Sequence, residues 1–167
     1  MTIRRTLTAL AVAVATIGLL APQAAQAADR PGHATSTVVF RHGVVAPTGT
    51  TGSGLGMVRF FTIPGTVEGR PGVPSYLTGT LTTIALDPAQ NRDVRASNLM
   101  LVVGGEQNQL VIGGLSVYPA DGSTLAPGTK TIRPIVGGTG LYNGARGSVV
   151  SENLGAQGWI HTFRITR

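Results

Sequence analysis

Beyond about residue 35, apolar residues fall in short runs rich in Val, Ile, Leu and Phe, and clusters of Gly, Pro, Asn and Asp separate the runs. No segment sustains apolar positions at i, i+3, i+4 and i+7 with capping residues, so the pattern predicts no helix. It predicts eight strands: Ser36–Val45, Leu55–Pro64, Ser75–Leu86, Val94–Gly104, Gln109–Tyr118, Thr131–Gly137, Ala145–Glu152 and Gly158–Thr166. Pro47–Gly54, Gly65–Pro74, Asp87-Pro88 and Asp121-Gly122 carry turn chemistry. None is long enough for a crossover helix, so sequence neighbours should pair antiparallel. Eight successive antiparallel strands can close into a barrel, which removes edges, or split into a two-sheet sandwich. Periodicity alone leaves both open.

Some strands are apolar on both faces. Leu99 to Val103 run without a polar residue, as do Leu110, Val111 and Ile112. A sheet with one wet face should alternate. The outer face is therefore expected to be covered, by a second copy of the chain or by a loop or N-terminal arm, and a homo-oligomer is the simplest cover.

The N-terminus changes the picture. Arg4 and Arg5 precede an apolar run from Leu7 to Ala21, followed by Ala25-Gln26-Ala27. This is the form of a bacterial secretory signal peptide over residues 1–27, with cleavage after Ala27. A run of 15 residues falls short of the roughly 20 needed to span a bilayer. Residues 28–35, with Pro31 and Gly32, read as a flexible lead-in, and 36–167 as the folded domain. The expected product is secreted, with no membrane attachment after cleavage. Removing two of the thirteen basic residues leaves a net charge of +4 against seven acidic ones. The basic residues are scattered singly, without the stripe that a nucleic-acid surface requires. The absence of cysteine rules out disulfides and thiolate metal sites.

The stretch Arg133–Gly147 reads RPIVGGTGLYNGARG: an apolar strand, a turn carrying Gly137, Gly138, Gly140 and Gly144, one aromatic (Tyr142), and a small-residue re-entry. It resembles the GGTG-x-(F/Y)-x-x-ARG segment of the allene oxide cyclase-like and dirigent-like barrel proteins. Gln109-Leu-Val-Ile-Gly-Gly resembles that family's glycine-bearing strand, and Val38-Val-Phe40-Arg-His42 its first strand. The resemblance implies an all-β, eight-stranded antiparallel barrel, commonly a homotrimer. It also implies a hydrophobic cavity in which a small reactive molecule is steered through stereoselective cyclisation or coupling without a cofactor. A cofactor-independent cyclase or isomerase is one expectation, and a secreted, non-catalytic binding or structural barrel is the alternative. Where plant members carry Asp after the first-strand His, this chain has Gly43.

Strand alternation puts Phe40 and His42 on one face, and Trp159, His161, Phe163 and Ile165 on one face of the last strand. In a closed barrel these two strands are neighbours. His42 and His161 could then form an acid–base pair near neutral pH, or simply pack. Two His without a third ligand do not make a catalytic zinc site, and no metal is expected. By the resemblance, Arg146 is the strand-borne arginine that could hold a substrate oxyanion; otherwise it serves the glycine-rich turn. The candidate catalytic residues are thus Arg146, His42 and His161, and the candidate substrate-binding residues Phe40, Tyr76, Tyr118 and Trp159. Tyr142 is expected to plug a barrel end. Arg41 and Arg59 could face either way. Asp87 and Asp121 read as turn residues, and Glu152 as a surface carboxylate. There is no G-x-S-x-G, and the loops Gly52–Gly56 and Gly138–Gly140 open no helix that could cradle a phosphate.

Overall fold

A computed structural model describes residues 35–44 and 46–167. The signal-peptide assignment (1–27) and the lead-in (28–35) lie outside the described residues, except for Thr35, which opens the first strand. The strands are β1 (Thr35–His42), β2 (Gly49–Thr51), β3 (Val58–Val67), β4 (Ser75–Asp87), β5 (Arg92–Val103), β6 (Gln109–Ile112), β7 (Leu115–Tyr118), β8 (Lys130–Gly138), β9 (Arg146–Asn153) and β10 (Trp159–Thr166). The only helical pieces among the described residues are three single 3₁₀ turns.

All pairings are antiparallel, in the order β1-β10-β9-β8-β6-β5-β4-β3-β2, with β7 also on β5. The sheet closes because β1 also pairs with β3, through Phe40–Val67 and Arg41–Thr66. β6 and β7 are two halves of one predicted strand. Both lie on β5, and they are interrupted at Gly113-Gly114, where the backbone bonds Pro134 and Ser97 instead. Counting them as one, and setting aside the short β2 on the flank of β3, gives a closed eight-stranded barrel. The sandwich alternative is thereby excluded. β2 itself lies in a segment whose composition reads as a turn.

Closure depends on a missing side chain. A Cβ at Gly65 would lie 2.3 Å from the Arg41 carbonyl oxygen and 2.5 Å from the Phe40 ring. The seam can therefore close only over glycine at this position. Phe40, Leu101, Val103, Leu110, Val149 and Phe163 are fully buried in a solid core. Tyr142, in the 3₁₀ turn Gly140–Tyr142, seals the end where β1 starts and β10 finishes, as its motif predicts. The other end, where β1 finishes and β10 starts, is hollow.

Candidate functional site

The hollow end holds a cavity of about 190 Å³. One wall is apolar, with Phe61 and Ile63 from β3, Leu77 and Leu81 from β4, and Leu99 from β5. The rest of the lining is polar or charged, with His42, Arg59, Arg95, Tyr118, Arg133, Ser151 and His161. Arg59 and Arg95 stand on the same strands as Phe61 and Leu99, and Arg59 pairs across the ladder with Leu81. Pro47 and the Gly122–Thr124 turn border the cavity, and the Asp121 carboxylate fixes that turn by accepting from the Ser123 N–H at 2.8 Å. Asp121 thus has the turn role its sequence context predicts.

The two histidines meet as strand alternation and closure require. Residue 40 pairs with 161 and residue 42 with 159, and the ring Nε2 atoms are 3.0 Å apart. The proton positions follow from the one partner that can only accept. The Gly43 carbonyl, 2.7 Å from His42 Nδ1, requires a proton on that nitrogen. A neutral His42 therefore accepts at Nε2, His161 donates from its Nε2, and His161 Nδ1 accepts from the Ser151 hydroxyl at 2.8 Å. The result is a directional chain, Ser151 to His161 to His42 to Gly43. Both rings are neutral at pH 7. Burial, then the charges of His42 and Arg133, lowers His161 to about 3. Burial lowers His42 against the opposing pull of its bond to Gly43. Trp159 stacks on His161 with ring centroids 6.2 Å apart. Gly158 sets the entry to β10; its φ is +84°, and a Cβ there would lie 2.1 Å from the His42 carbonyl oxygen.

Beside the histidines lies a second buried cluster. Asp93 Oδ2 accepts from Arg95 Nε at 2.8 Å and from Arg59 Nη2 at 3.3 Å, and Arg59 also donates to Thr83. Arg95 stacks 4.0 Å over the Tyr118 ring. Arg133 donates from Nε to Ser97, from Nη1 to Thr131 and from Nη2 to the Tyr118 hydroxyl, at 2.8, 2.9 and 2.8 Å. Burial and the nearby Arg95 pull Arg59 below its usual range, although a guanidinium stays charged.

Of the candidates read from sequence, His42, His161, Tyr118 and Trp159 line this cavity. Phe40, expected to touch a substrate, does not line the cavity: it is fully buried in the core beside the histidines, its ring about 6 Å from each. Arg146 and Tyr76 are not in the cavity. Arg146 is exposed and donates to the Ala145 carbonyl. Ala145, Val149 and Ser151 fix the inward parity of this segment at odd numbers, so Arg146 points out. Its alternative role, serving the glycine-rich turn, is the one its bond matches. Tyr76 faces outward from β4, across from the buried Val102. Arg59 faces in, whereas Arg41 faces out and pairs with Glu68.

Asp93, Arg95, Arg133 and Ser151 were not among the candidates. Polar residues alternating along a strand read as a solvent face. Yet Asp93, Arg95 and Ser97 share parity with Leu99, Leu101 and Val103, and that continuity marks them as inward. The barrel therefore has a buried acid on β5, although Gly43 replaces the one expected after His42.

No family model matches the chain, and no curated protein matches it. Among solved structures, a pyocyanin demethylase superposes with a TM-score of 0.54 at 17% identity, over 79% of this chain and 99% of that one. The pterocarpan synthase dirigent protein superposes with a TM-score of 0.51 at 17% identity, over 80% and 86%. At that identity the likeness is one of fold: the chain has a dirigent-like antiparallel barrel.

Proposed function

We propose that the barrel binds a small, mainly apolar guest in its open end and steers a proton-transfer isomerisation or cyclisation with protein groups alone. The observation that carries this is the hydrogen-bonded chain Ser151–His161–His42 set against an apolar wall. A proton taken from the guest by Ser151 Oγ releases the Ser151 proton to His161 Nδ1. The His161 Nε2 proton then passes to His42 Nε2. The guest becomes an anion beside the guanidiniums, and His42 becomes an imidazolium held by the Gly43 carbonyl. Returning the proton to a different atom completes an isomerisation or ring closure, and the confining walls fix the face of attack.

The test is incubation in D₂O with phenolic and polyunsaturated carbonyl substrates. Solvent deuterium should appear in a stereochemically enriched product, and His161→Gln should slow its appearance by roughly 100-fold or more. Exchange equal in the variant sinks the relay. One observation favours a non-catalytic binding module instead: all four ring nitrogens are engaged by protein groups, so the resting site presents no free base. Guest binding with no exchange under any condition supports that reading.

The outer face of β7 and β8 exposes Leu115, Val117, Ile132 and Val136. This supports association with further copies of the chain after export, the trimer expected by resemblance. Light scattering of the mature protein tests it, and a monomer at micromolar concentration rejects it.

A further inference from the structure

We propose that the guest is an organic anion, a small and mainly apolar carboxylate whose carboxyl group is seated on Arg133. This rests on the reading of the cavity as a guest site and adds the guest's chemical class.

Three guanidiniums line the cavity wall, from Arg59, Arg95 and Arg133, and all are at least nine-tenths buried. One carboxylate, Asp93, faces them, and it is committed to Arg59 and Arg95. With both histidines neutral, the site carries a surplus of two positive charges. Arg133 is 4% exposed and has no carboxylate within ion-pair distance among the described residues. Its bonds go to three hydroxyls, from Ser97, Thr131 and Tyr118. A guanidinium carries five N–H groups. The remaining two, one on each terminal nitrogen, meet no acceptor among the described residues. Burying an unmatched charge is costly, and an arriving carboxylate would offset that cost with charge-assisted bonds in the fork geometry that suits guanidinium.

The apolar part of the lining fixes the rest of the guest. Phe61, Ile63, Leu77, Leu81 and Leu99 offer no polar atom, so the body of the molecule must be hydrocarbon or aromatic. An apolar cavity of about 150 Å³ holds a benzene ring. The space here suits a ring with a short chain, its charged end toward Arg133 and its body among Phe61, Ile63, Leu77 and Leu99. The Tyr118 hydroxyl accepts from Arg133 and keeps its own proton to donate to the same carboxylate.

Trp159 is the only tryptophan in the sequence and lines the cavity, so its fluorescence reports occupancy. The probes are 3-phenylpropanoate and its neutral isostere 3-phenylpropanamide, titrated into the mature protein at pH 7.5. The anion is expected to bind at least tenfold more tightly, the smallest factor that one charge-assisted bond supplies. Arg133→Gln should abolish that preference, with the larger loss of affinity falling on the anion. Should that variant fail to fold, Arg133→Lys decides: a loss confined to the anion supports the site, and equal losses for both probes overturn it. Equal binding of the two probes by the unaltered protein, or a preference that survives Arg133→Gln, overturns the anion assignment and leaves the cavity reading standing. Binding of neither probe at millimolar concentration, with the fold intact by circular dichroism, overturns both.

Discussion

Charged pairs have opposite consequences depending on whether water can reach them. The Arg41–Glu68 pair spans two side chains that are 47% and 55% exposed. Water screens such a pair, so Glu68→Gln should cost less than about 1 kcal/mol. Asp93 and its two guanidiniums are each under a tenth exposed. Asp93→Asn leaves three buried cations with no anion, and chemical denaturation should show a loss of about 3–5 kcal/mol. Similar losses at the two positions would mean that water enters the barrel freely. His161 gives the residue-scale pH dependence. Its folded pKa, about 3, lies below the ordinary 6.5, so between those values the unfolded chain binds more protons. Stability is thus complete above pH 6.5 and falls as the pH falls towards 3. The slope approaches 1.4 kcal/mol per unit, or roughly 2–3 kcal/mol lost between pH 6.5 and 4.5. Urea midpoints across this window should show the slope in the native sequence and a flatter line in His161→Gln. An unchanged slope in the variant would assign the titration elsewhere.

Among the elements, the seam between β1 and β3 decides whether the sheet is a barrel. Gly65→Ala places a methyl against the Phe40 ring and the Arg41 carbonyl, and should cost about 1–3 kcal/mol or open the seam. Gly69→Ala is the control. It lies in the turn just after β3 and has φ +73°, but nothing lies within 4 Å of its added methyl, so only backbone strain of about 1 kcal/mol is expected. Thermal melts of the two variants separate closure from local strain. The strands themselves were legible because Gly, Pro, Asn and Asp bound nearly every one of them. Closure was not legible in the alternation, since a barrel and a sandwich share it, and it is the pairing of β1 with β3, over Gly65, that tells them apart. The histidine pair was legible because strand parity gives both residues an inward face, and the barrel that the glycine-rich segment's resemblance implies makes the first and last strands neighbours. The arginine cluster was hidden because Asp93, Arg95 and Arg133 alternate like a wet face. Arg146 misled because a motif drew attention to a residue that strand parity turns outward.

At the scale of the whole molecule, residues 35–167 contain ten basic and six acidic side chains, a surplus of +4, and two of those four charges sit inside the barrel at the open end. Simple salt shields exposed charges over a Debye length of about 10 Å at 0.1 M, but shields buried ones much less. Added sodium chloride should therefore raise the melting temperature little. A small organic anion that enters the cavity meets the interior charge directly. At a hundred times its dissociation constant it should stabilise the fold by about 2.7 kcal/mol. For a domain of this size that is a rise of several degrees in melting temperature. The comparison is made at matched ionic strength between sodium 3-phenylpropanoate and sodium chloride, with 3-phenylpropanamide as the uncharged control. Stabilisation by the carboxylate alone, lost in Arg133→Gln, places the relieved charge inside the barrel. Equal shifts from chloride and from the carboxylate would place it on the outer surface. The fold would then owe nothing to occupancy of its open end.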